Sequence, residues 1–189
     1  MNNISLSAIS ADQVSITPFQ AKYQNQVSQL LDAAFGADRQ QKSSYKLRES
    51  SVKIDDLSLI ASQKNQNGED VILASIAYWQ LDVAGEAALL LGPLAVNPDF
   101  QGMGLGRRLM DETLSLAQKI AGLRGWKFTI LIGDLDYYQK SGFQRVPHGA
   151  IDYPQPTDPN RVLYFEFEPH SLQQLIDNND IPLRLNHNE

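Results

Sequence analysis

Three glycines within five residues are the clearest candidate for chemistry in this sequence. They lie in the segment from Gln101 to Arg108 (QGMGLGRR), after an apolar run and at the start of a helical pattern. Closely spaced glycines let the backbone approach a ligand, and the dipole of the following helix favours negative charge at the same point. The pattern therefore indicates an anion site, most naturally for phosphate, with a flexible turn as the alternative.

Two familiar nucleotide motifs do not fit this loop. A P-loop needs Lys-Ser or Lys-Thr after its last glycine, whereas Gly106 is followed by two arginines. A dinucleotide fingerprint needs GxGxxG directly after a strand and an acidic residue about 20 positions further on. Here the spacing is GxGxG, the apolar run ends at Val96, and residues 121–125 contain no acid. A nucleotide-binding oxidoreductase is thus the least favoured class.

Composition excludes several other functions. The chain of 189 residues has no cysteine, which removes thiol nucleophiles, thiolate zinc sites and iron–sulfur clusters. Its three histidines, His148, His170 and His187, lack metal-binding spacing, so we expect no metal. Sixteen Lys and Arg against twenty-two Asp and Glu give a net charge of -6, the wrong sign for binding nucleic acid through its phosphates.

The ends of the chain and its longest apolar run predict the compartment. The first thirteen residues (MNNISLSAISADQ) lack the charged and apolar regions of a signal peptide. The run at 87–96 is about half of a membrane span and contains Gly92 and Pro93. We expect a soluble, cytoplasmic protein that binds neither membrane nor nucleic acid, and the oligomeric state stays open.

The residues before the glycine loop predict a strand, a helix and an antiparallel meander. Residues 14–19 are β-prone, and 21–35 carry an apolar stripe at helical spacing that Gly36 closes. Residues 37–56 are polar and predict a solvated helix or loop. Three strand-like runs separated by turn signals then predict the meander, at 57–62, 71–81 and 86–96.

The residues after the loop continue the alternation and complete a mixed α/β sheet. Apolar residues at 105–120 recur at helical spacing, and Gly122 predicts the end of that helix. The remaining patterns predict a strand, a short helix, a strand, a Pro-rich loop and a final strand, at 126–132, 134–141, 143–146, 147–160 and 162–168. We expect one domain over 1–189, with a core at about 14–168 and a C-terminal helix and tail at 169–189.

Two segments resemble the GNAT acyltransferase superfamily. The segment from Leu91 to Met110 (LGPLAVNPDFQGMGLGRRLM) matches the Q/R-x-x-G-x-G/A signature of its motif A, and Tyr138 to Phe143 (YQKSGF) resembles its Y-x-x-x-G-F segment. The two segments LGPLAVNPDFQGMG and GDLDYYQKSGF together are similar to the sequences of the YhbS-like bacterial branch. The resemblance implies a GNAT-like acyl-CoA N-acyltransferase fold, with a central, mostly antiparallel sheet whose fourth and fifth strands splay apart, flanked by helices.

The resemblance also implies roles for individual residues. The backbone of the splayed fourth strand, at Leu94, Ala95 and Val96, would pair with the pantetheine arm of acetyl-CoA, and Pro93 after Gly92 suits a bulge there. The glycine loop would hold the pyrophosphate through Gln101, Gly102, Met103, Gly104, Leu105, Gly106 and Arg107. Arg107 or Arg108 would add a charged contact, and Lys140 would reach the CoA phosphates, with solvated surface positions as the alternative for all three.

Catalysis would depend on a tyrosine. Tyr138 would be the general acid that protonates the leaving CoA thiolate, because a phenol with a pKa near 10 is protonated at neutral pH. Its neighbour Tyr137 is the alternative, and one of the two is expected to pack under the sheet. Residues 89–96 contain no carboxylate that could act as general base. The candidates for that role are Glu86, Asp82, His148 and a water relayed from a backbone carbonyl.

The sequence therefore predicts an N-acetyltransferase that uses acetyl-CoA and no metal. The acetyl group would pass to a primary amine of a small molecule or peptide by direct attack in a ternary complex. Residues 39–56 and 147–160 should contact this acceptor, because they are the long loops beside the inferred site. The acidic net charge favours a cationic amine. The alternative is a non-catalytic acyl-CoA-binding or regulatory module on the same fold, which the lack of an evident base favours.

Overall fold

The computed structural model describes residues 14–49 and 51–186, so the N-terminal run that argues against a signal peptide lies outside the described residues. Across the described ranges, no helix has the length and apolar character to cross a membrane. The strands and helices follow one another in chain order as β1 (Ser15–Pro18), α1 (Gln24–Phe35), α2 (Ser43–Lys46), β2 (Leu59–Lys64), β3 (Asp70–Val83), β4 (Glu86–Val96), α3 (Leu105–Arg124), β5 (Phe128–Ile132), α4 (Leu135–Tyr138), β6 (Gln144–Arg145), β7 (Ile151–Asp152), β8 (Val162–Glu166), α5 (Ser171–Asp177) and β9 (Leu183–Asn186).

One sheet organises the described residues, with its main strands in the order β1-β2-β3-β4-β5-β8-β6. Each neighbouring pair along this path is antiparallel except β4 and β5, which are parallel. The predicted mixed and mostly antiparallel sheet is therefore confirmed. The predicted meander is confirmed as well, as β2, β3 and β4.

The parallel pair β4 and β5 separates after a short contact. Only Leu89 with Thr129 and Leu90 with Ile130 are paired, and β4 then continues to Val96 without a partner on that edge among the described residues. The predicted splay is confirmed, and it opens a cleft between the two strands.

The predicted bulge of β4 lies beside this cleft. Ile76 of β3 pairs with Leu94 and Tyr78 pairs with Leu91, so Gly92 and Pro93 together face the single residue Ala77. Proline has no N–H to donate to a ladder, which is why a bulge accommodates it. The indole N–H of Trp79 instead donates to the carbonyl oxygen of Gly92 at 3.0 Å.

Helices cover both faces of the sheet around β4. Leu89 and Leu91 belong to a buried cluster with α3, whereas Ala95 is buried with residues of α1. Leu90 lies in a third cluster that includes Phe128 of β5. Because alternate residues of a strand point to opposite faces, this distribution buries β4 on both sides. It explains the nearly continuous apolar run of its sequence.

The end of α3 corrects one prediction. The helix passes Gly122 and ends at Arg124, and Gly125 with a φ of 73° caps it by donating its N–H to the carbonyl of Ala121. A glycine inside a helix is tolerated at a modest cost, so a glycine by itself does not fix the end. The left-handed conformation at Gly125 is what ends the helix.

The structure contains two short strands, β7 and β9, that the sequence patterns did not indicate. The predicted helix is present as α5, but the tail after it forms β9, which pairs antiparallel with the end of β3 and parallel with β7. β7 lies within residues 147–160, which we predicted as a loop. Both strands are very short, and their partners are distant in sequence, so no local periodicity reveals them.

The prediction that residues 37–56 are solvated is wrong at several positions. Leu47 is fully buried, and Arg39 is only 6% exposed. The Arg39 guanidinium donates to Asp32 at 2.7 Å, to Tyr45 at 2.6 Å and to Ser28 at 3.0 Å. Polar composition did not show burial here because these polar groups satisfy one another.

Candidate active site

A cavity of about 1160 Å³ opens where β4 and β5 diverge. Residues 90–96 of β4 form one wall, and residues 132–134, at the end of β5, form the facing one. The glycine loop at the start of α3 contributes a third side. The fourth side comes from residues around α2 and from Pro156, Thr157 and Asp158, which belong to the two segments predicted to contact an acceptor.

Most residues predicted to bind the cofactor lie around this one cavity. Its wall includes Leu94, Ala95, Val96, Gln101, Gly102, Gly104, Leu105, Gly106, Arg107 and Lys140, together with Tyr137 and Tyr138. The side chains of two predicted residues lie outside the cavity wall. Met103 packs against the core, and Arg108 is exposed on α3 outside the cavity wall.

The glycine loop leaves open space at the N-terminus of α3. Gly102 and Gly104 have φ angles of 82° and 75°, and a Cβ on either would meet no atom within 4 Å. The first helical hydrogen bond of the loop runs from the N–H of Arg108 to the carbonyl of Gly104 at 2.9 Å. The N–H groups of the first helical residues before Arg108 have no helical partner, so they form a cradle suited to phosphate oxygens.

Gly106 allows α3 to begin close to the other walls of the cavity. A Cβ at this position would lie 2.7 Å from the Tyr137 hydroxyl and 3.1 Å from Val96 Cγ2. The Tyr137 hydroxyl therefore lies against the first turn of α3. Arg107, beside it, donates to the carbonyl of Lys140 at 2.7 Å, which ties the glycine loop to the Y-x-x-x-G-F segment.

The free edge of β4 provides a second binding element. From Leu94 to Val96 the strand pairs with β3 on one side, and in the described structure no strand covers the other side, which faces the cavity. An uncovered strand edge presents N–H and C=O groups that can pair with an extended chain. The edge and the phosphate cradle share one continuous space.

Tyr138 lines the cavity and is half-buried. Its ring packs edge-on against Tyr137 and Phe143, with centroids 4.9 Å and 5.7 Å away. Its hydroxyl donates to no other described residue. Burial raises the pKa of Tyr138, the nearby Tyr137 and Asp134 add to this rise, and Arg161 opposes it. The phenol therefore keeps its proton at neutral pH and is free to donate it.

Gly133 lies directly against the Tyr138 ring. A Cβ at this position would overlap the Tyr138 ring and would also lie 2.9 Å from Leu131 Cδ1. We expect Gly133→Ala to lower the free energy of unfolding by about 1–3 kcal/mol, the usual cost of overpacking, and to lower turnover because the ring must move. Chemical denaturation and a thiol-release assay check this. Unchanged stability would show that the ring has room to shift.

The predicted side-chain bases do not reach the cavity. Asp82 and Glu86 flank the β3–β4 turn, and Glu86 lies eight residues before Leu94, which corresponds to about 26 Å along the strand. His148 is exposed, with Nε2 3.1 Å from Asn160 Oδ1. None of the three contributes to the cavity wall.

Sequence reasoning missed the carboxylates that do line the cavity, which are Asp38, Asp134 and Asp158. Asp134 pairs with Arg161 at 3.2 Å, and Asp158 accepts the N–H of Asn160 at 2.9 Å. Sequence reasoning also missed Arg48, whose guanidinium lies on the wall next to the β4 bulge. Asp134 lies within the segment GDLDYYQKSGF, but the resemblance assigned it no role, and Asp38, Asp158 and Arg48 lie outside the matched motifs.

Comparisons with known proteins agree with this geometry. The sequence model of the "Acetyltransferase (GNAT) domain" matches residues 58–145, which span β2 to β6. Residues 58–145 are therefore similar to the GNAT acetyltransferase domain, and the splayed sheet with its cavity agrees with that similarity.

Two relatives from Escherichia coli strain K12 carry names of the same class. One is the "Uncharacterized N-acetyltransferase YhbS", 29% identical over 124 residues, which cover 65% of this chain and 68% of the relative. The other is the "Uncharacterized N-acetyltransferase YjhQ", 36% identical over 67 residues, which cover 35% of this chain and 34% of the relative. The resemblance to the YhbS-like branch is thus confirmed.

Solved structures share the fold. The E. coli YhbS structure in complex with CoA has a TM-score of 0.70 at 22% identity, covering 96% of this chain and 93% of that one. A GNAT acetyltransferase from Brucella melitensis in complex with acetyl-CoA has a TM-score of 0.59 at 22% identity, covering 82% and 89%. Arabidopsis thaliana Naa50, in complex with the bisubstrate analogue CoA-Ac-MVNAL, has a TM-score of 0.57 at 18% identity, covering 82% and 99%.

Proposed function

We propose that this protein transfers the acetyl group of acetyl-CoA to a primary amine by direct attack in a ternary complex. The observation that supports this most is the junction, in one cavity, of an open phosphate cradle and an uncovered strand edge. Acetyl-CoA has a pyrophosphate and an extended pantetheine arm that match these two elements. Two of the solved relatives were crystallised with CoA or acetyl-CoA.

The backbone holds the acyl donor in this proposal. N–H groups of Gly102 to Arg107 bind the pyrophosphate, and the cations of Arg107 and Lys140 add charge-assisted contacts. The free edge from Leu94 to Val96 pairs with the pantetheine arm and directs an N–H at the thioester oxygen. Acetyl-CoA supplies the activated acyl group, and the strand supplies position and stabilisation of the developing negative charge.

Tyr138 completes the transfer as the general acid. The amine nitrogen forms a bond to the acetyl carbon while the carbon–sulfur bond breaks. The departing sulfur takes the phenolic proton of Tyr138, which recovers a proton from water. The surplus proton of the amine passes to water on the polar wall, since the predicted side-chain bases do not line the cavity.

The absence of a side-chain base at the strand keeps one alternative, a module that binds acyl-CoA without catalysis. A thiol-release assay with acetyl-CoA and a panel of primary amines separates the two. We expect release of CoA that depends on both the amine and the protein, with acetylated amine detected by mass spectrometry. Binding of acetyl-CoA without release for any amine would favour the non-catalytic module.

The raised pKa of Tyr138 predicts the pH dependence of turnover. A pKa above the ordinary value of about 10 means that the phenol keeps its proton as the pH rises. Turnover should therefore rise with pH, as the amine loses its proton, and should not fall between about pH 8 and pH 10. Steady-state kcat across this range checks it, with far-UV spectra as a control for folding. A fall in kcat while the protein stays folded would contradict this assignment.

A further inference from the structure

Arg48 places a positive charge on the cavity wall beside the β4 bulge. Its guanidinium lies over the Tyr45 ring, 4.2 Å from the centroid, and Nη2 donates to Ser44 Oγ at 3.2 Å. Nη2 is also 3.9 Å from the position that a Cβ on Gly92 would occupy. Nε is buried and has no hydrogen-bond partner. The side chain thus borders the space next to the segment that we assign to the thioester.

The protein does not neutralise this charge. Among the described residues, no carboxylate lies within 4 Å of Arg48. Arg39, the other arginine beside Tyr45, does have an ion-pair partner, because its Nε pairs with Asp32 at 2.7 Å. Arg48 is half-buried, and a charge that is partly withdrawn from water without an ion-pair partner marks a candidate binding residue.

A second buried donor near Arg48 also lacks a partner. The hydroxyl of Tyr153 is buried and forms no hydrogen bond with the described residues. Burial raises the pKa of Tyr153, and the positive charge of Arg48 opposes that rise. Tyr153 does not line the cavity, so of these two unpartnered donors only that of Arg48 belongs to a residue of the cavity wall.

We infer that the acceptor carries a carboxylate besides its amine, and that Arg48 binds this carboxylate at the acceptor end of the cavity. The inference rests on the proposed function. A planar carboxylate matches the fork of a guanidinium. The wall also holds three carboxylates, which repel a ligand with one negative charge less than a ligand with two, such as a phosphate. Those carboxylates in turn suit the cationic form of the amine. The substrate class is therefore an amino acid or a short peptide-like amine with a free carboxylate.

The test compares amines that differ in structure only at the carboxylate, with kcat/KM expressed per neutral amine because an amide makes the neighbouring amine less basic. The probes are glycine, β-alanine, γ-aminobutyrate, lysine and glycylglycine, each paired with its carboxamide, in the thiol-release assay. For the accepted pair, we expect the wild type to prefer the carboxylate over the amide by about 10- to 150-fold in kcat/KM, the usual worth of a hydrogen bond to a charged group. Arg48→Gln should lose this preference, because only the carboxylate member slows.

Lys46→Gln is the matched control. Lys46 lies two residues before Arg48 and donates to the carbonyl of Gln155 at 3.0 Å, but it is exposed and outside the cavity wall. Its removal also deletes one positive charge, so a general effect of charge would appear in both variants. We expect Lys46→Gln to keep the preference of the wild type.

Melting temperature and acetyl-CoA affinity separate the remaining outcomes. Arg48→Gln should bind acetyl-CoA as the wild type does and melt no lower, whereas a structural role would lower the melting temperature and slow both members of a pair. If acetyl-CoA binds but the wild type shows no preference, or accepts no carboxylate, the inference is overturned and the proposed function can stand. If acetyl-CoA does not bind, the proposed function fails instead. The lack of a preference in the wild type would overturn the inference even if Arg48→Gln does not fold.

Discussion

Tyr138→Phe is expected to lower kcat for acetyl transfer by about 10² to 10⁴, the usual worth of a positioned proton donor. The substitution removes the hydroxyl and keeps the ring that packs against Phe143 and Tyr137. Because the hydroxyl has no partner among the described residues, its loss should change the melting temperature and the affinity for acetyl-CoA very little. Steady-state thiol release, thermal melting and calorimetry measure the three quantities.

Tyr137→Phe is the matched control, since it removes the same group from the adjacent ring. The Tyr137 hydroxyl lies against Gly106 at the first turn of α3, and the side chain is 44% exposed. We expect turnover close to the wild type. The opposite order of the two variants would move the general acid to Tyr137. Turnover near the wild type in both would mean that the thiolate leaves unprotonated or takes its proton from water.

Gly104→Val is expected to abolish binding of CoA and acetyl-CoA. The Cβ and its two methyl groups would enter the open space at the N-terminus of α3, where the pyrophosphate is proposed to meet the backbone. The φ of 75° at this position also costs a side-chain-bearing residue about 1–2 kcal/mol of folding free energy. A calorimetric titration of the folded variant, confirmed by its far-UV spectrum, is the measurement.

Gly68→Val separates the steric effect from the backbone cost. Gly68 lies in the turn between β2 and β3 with a φ of 78°, and a Cβ there would also meet nothing within 4 Å. Because it is outside the cavity wall, its substitution should cost similar stability and leave CoA affinity unchanged. Affinity at the wild-type level in folded Gly104→Val would show that the loop is not the phosphate cradle.

The parts of the fold with strong local patterns could be predicted from the sequence. The stripe of α1, the meander with its turn at Asn67-Gly68, and the loop before α3 all appear within about three residues of their predicted bounds. The splay of β4 and β5 came from the resemblance of two motifs, since no periodicity reports where two strands separate. The assignment of one domain to residues 1–189 stays a prediction.

The polar part of the cavity could not be predicted because contacts between distant residues define it. Arg39 is buried through Asp32, Tyr45 and Ser28, and Arg48 reaches the β4 bulge from a segment more than forty residues earlier in the chain. The pairing of β9 with β3 and β7 also joins residues that are distant in the sequence. Composition describes such segments as solvated, and only the three-dimensional arrangement shows which charges are paired.

Titration of the wild-type protein with acetyl-CoA, followed by calorimetry and thermal melting, tests the central claim most directly. The account predicts one acetyl-CoA bound per chain. At 100 times the dissociation constant, a ligand stabilises a fold by about 2.7 kcal/mol, which for a chain of this size raises the melting temperature by about 5–11 °C. If millimolar acetyl-CoA produced no heat and no shift in melting temperature, that result would contradict the assignment of this cavity to an acyl-CoA.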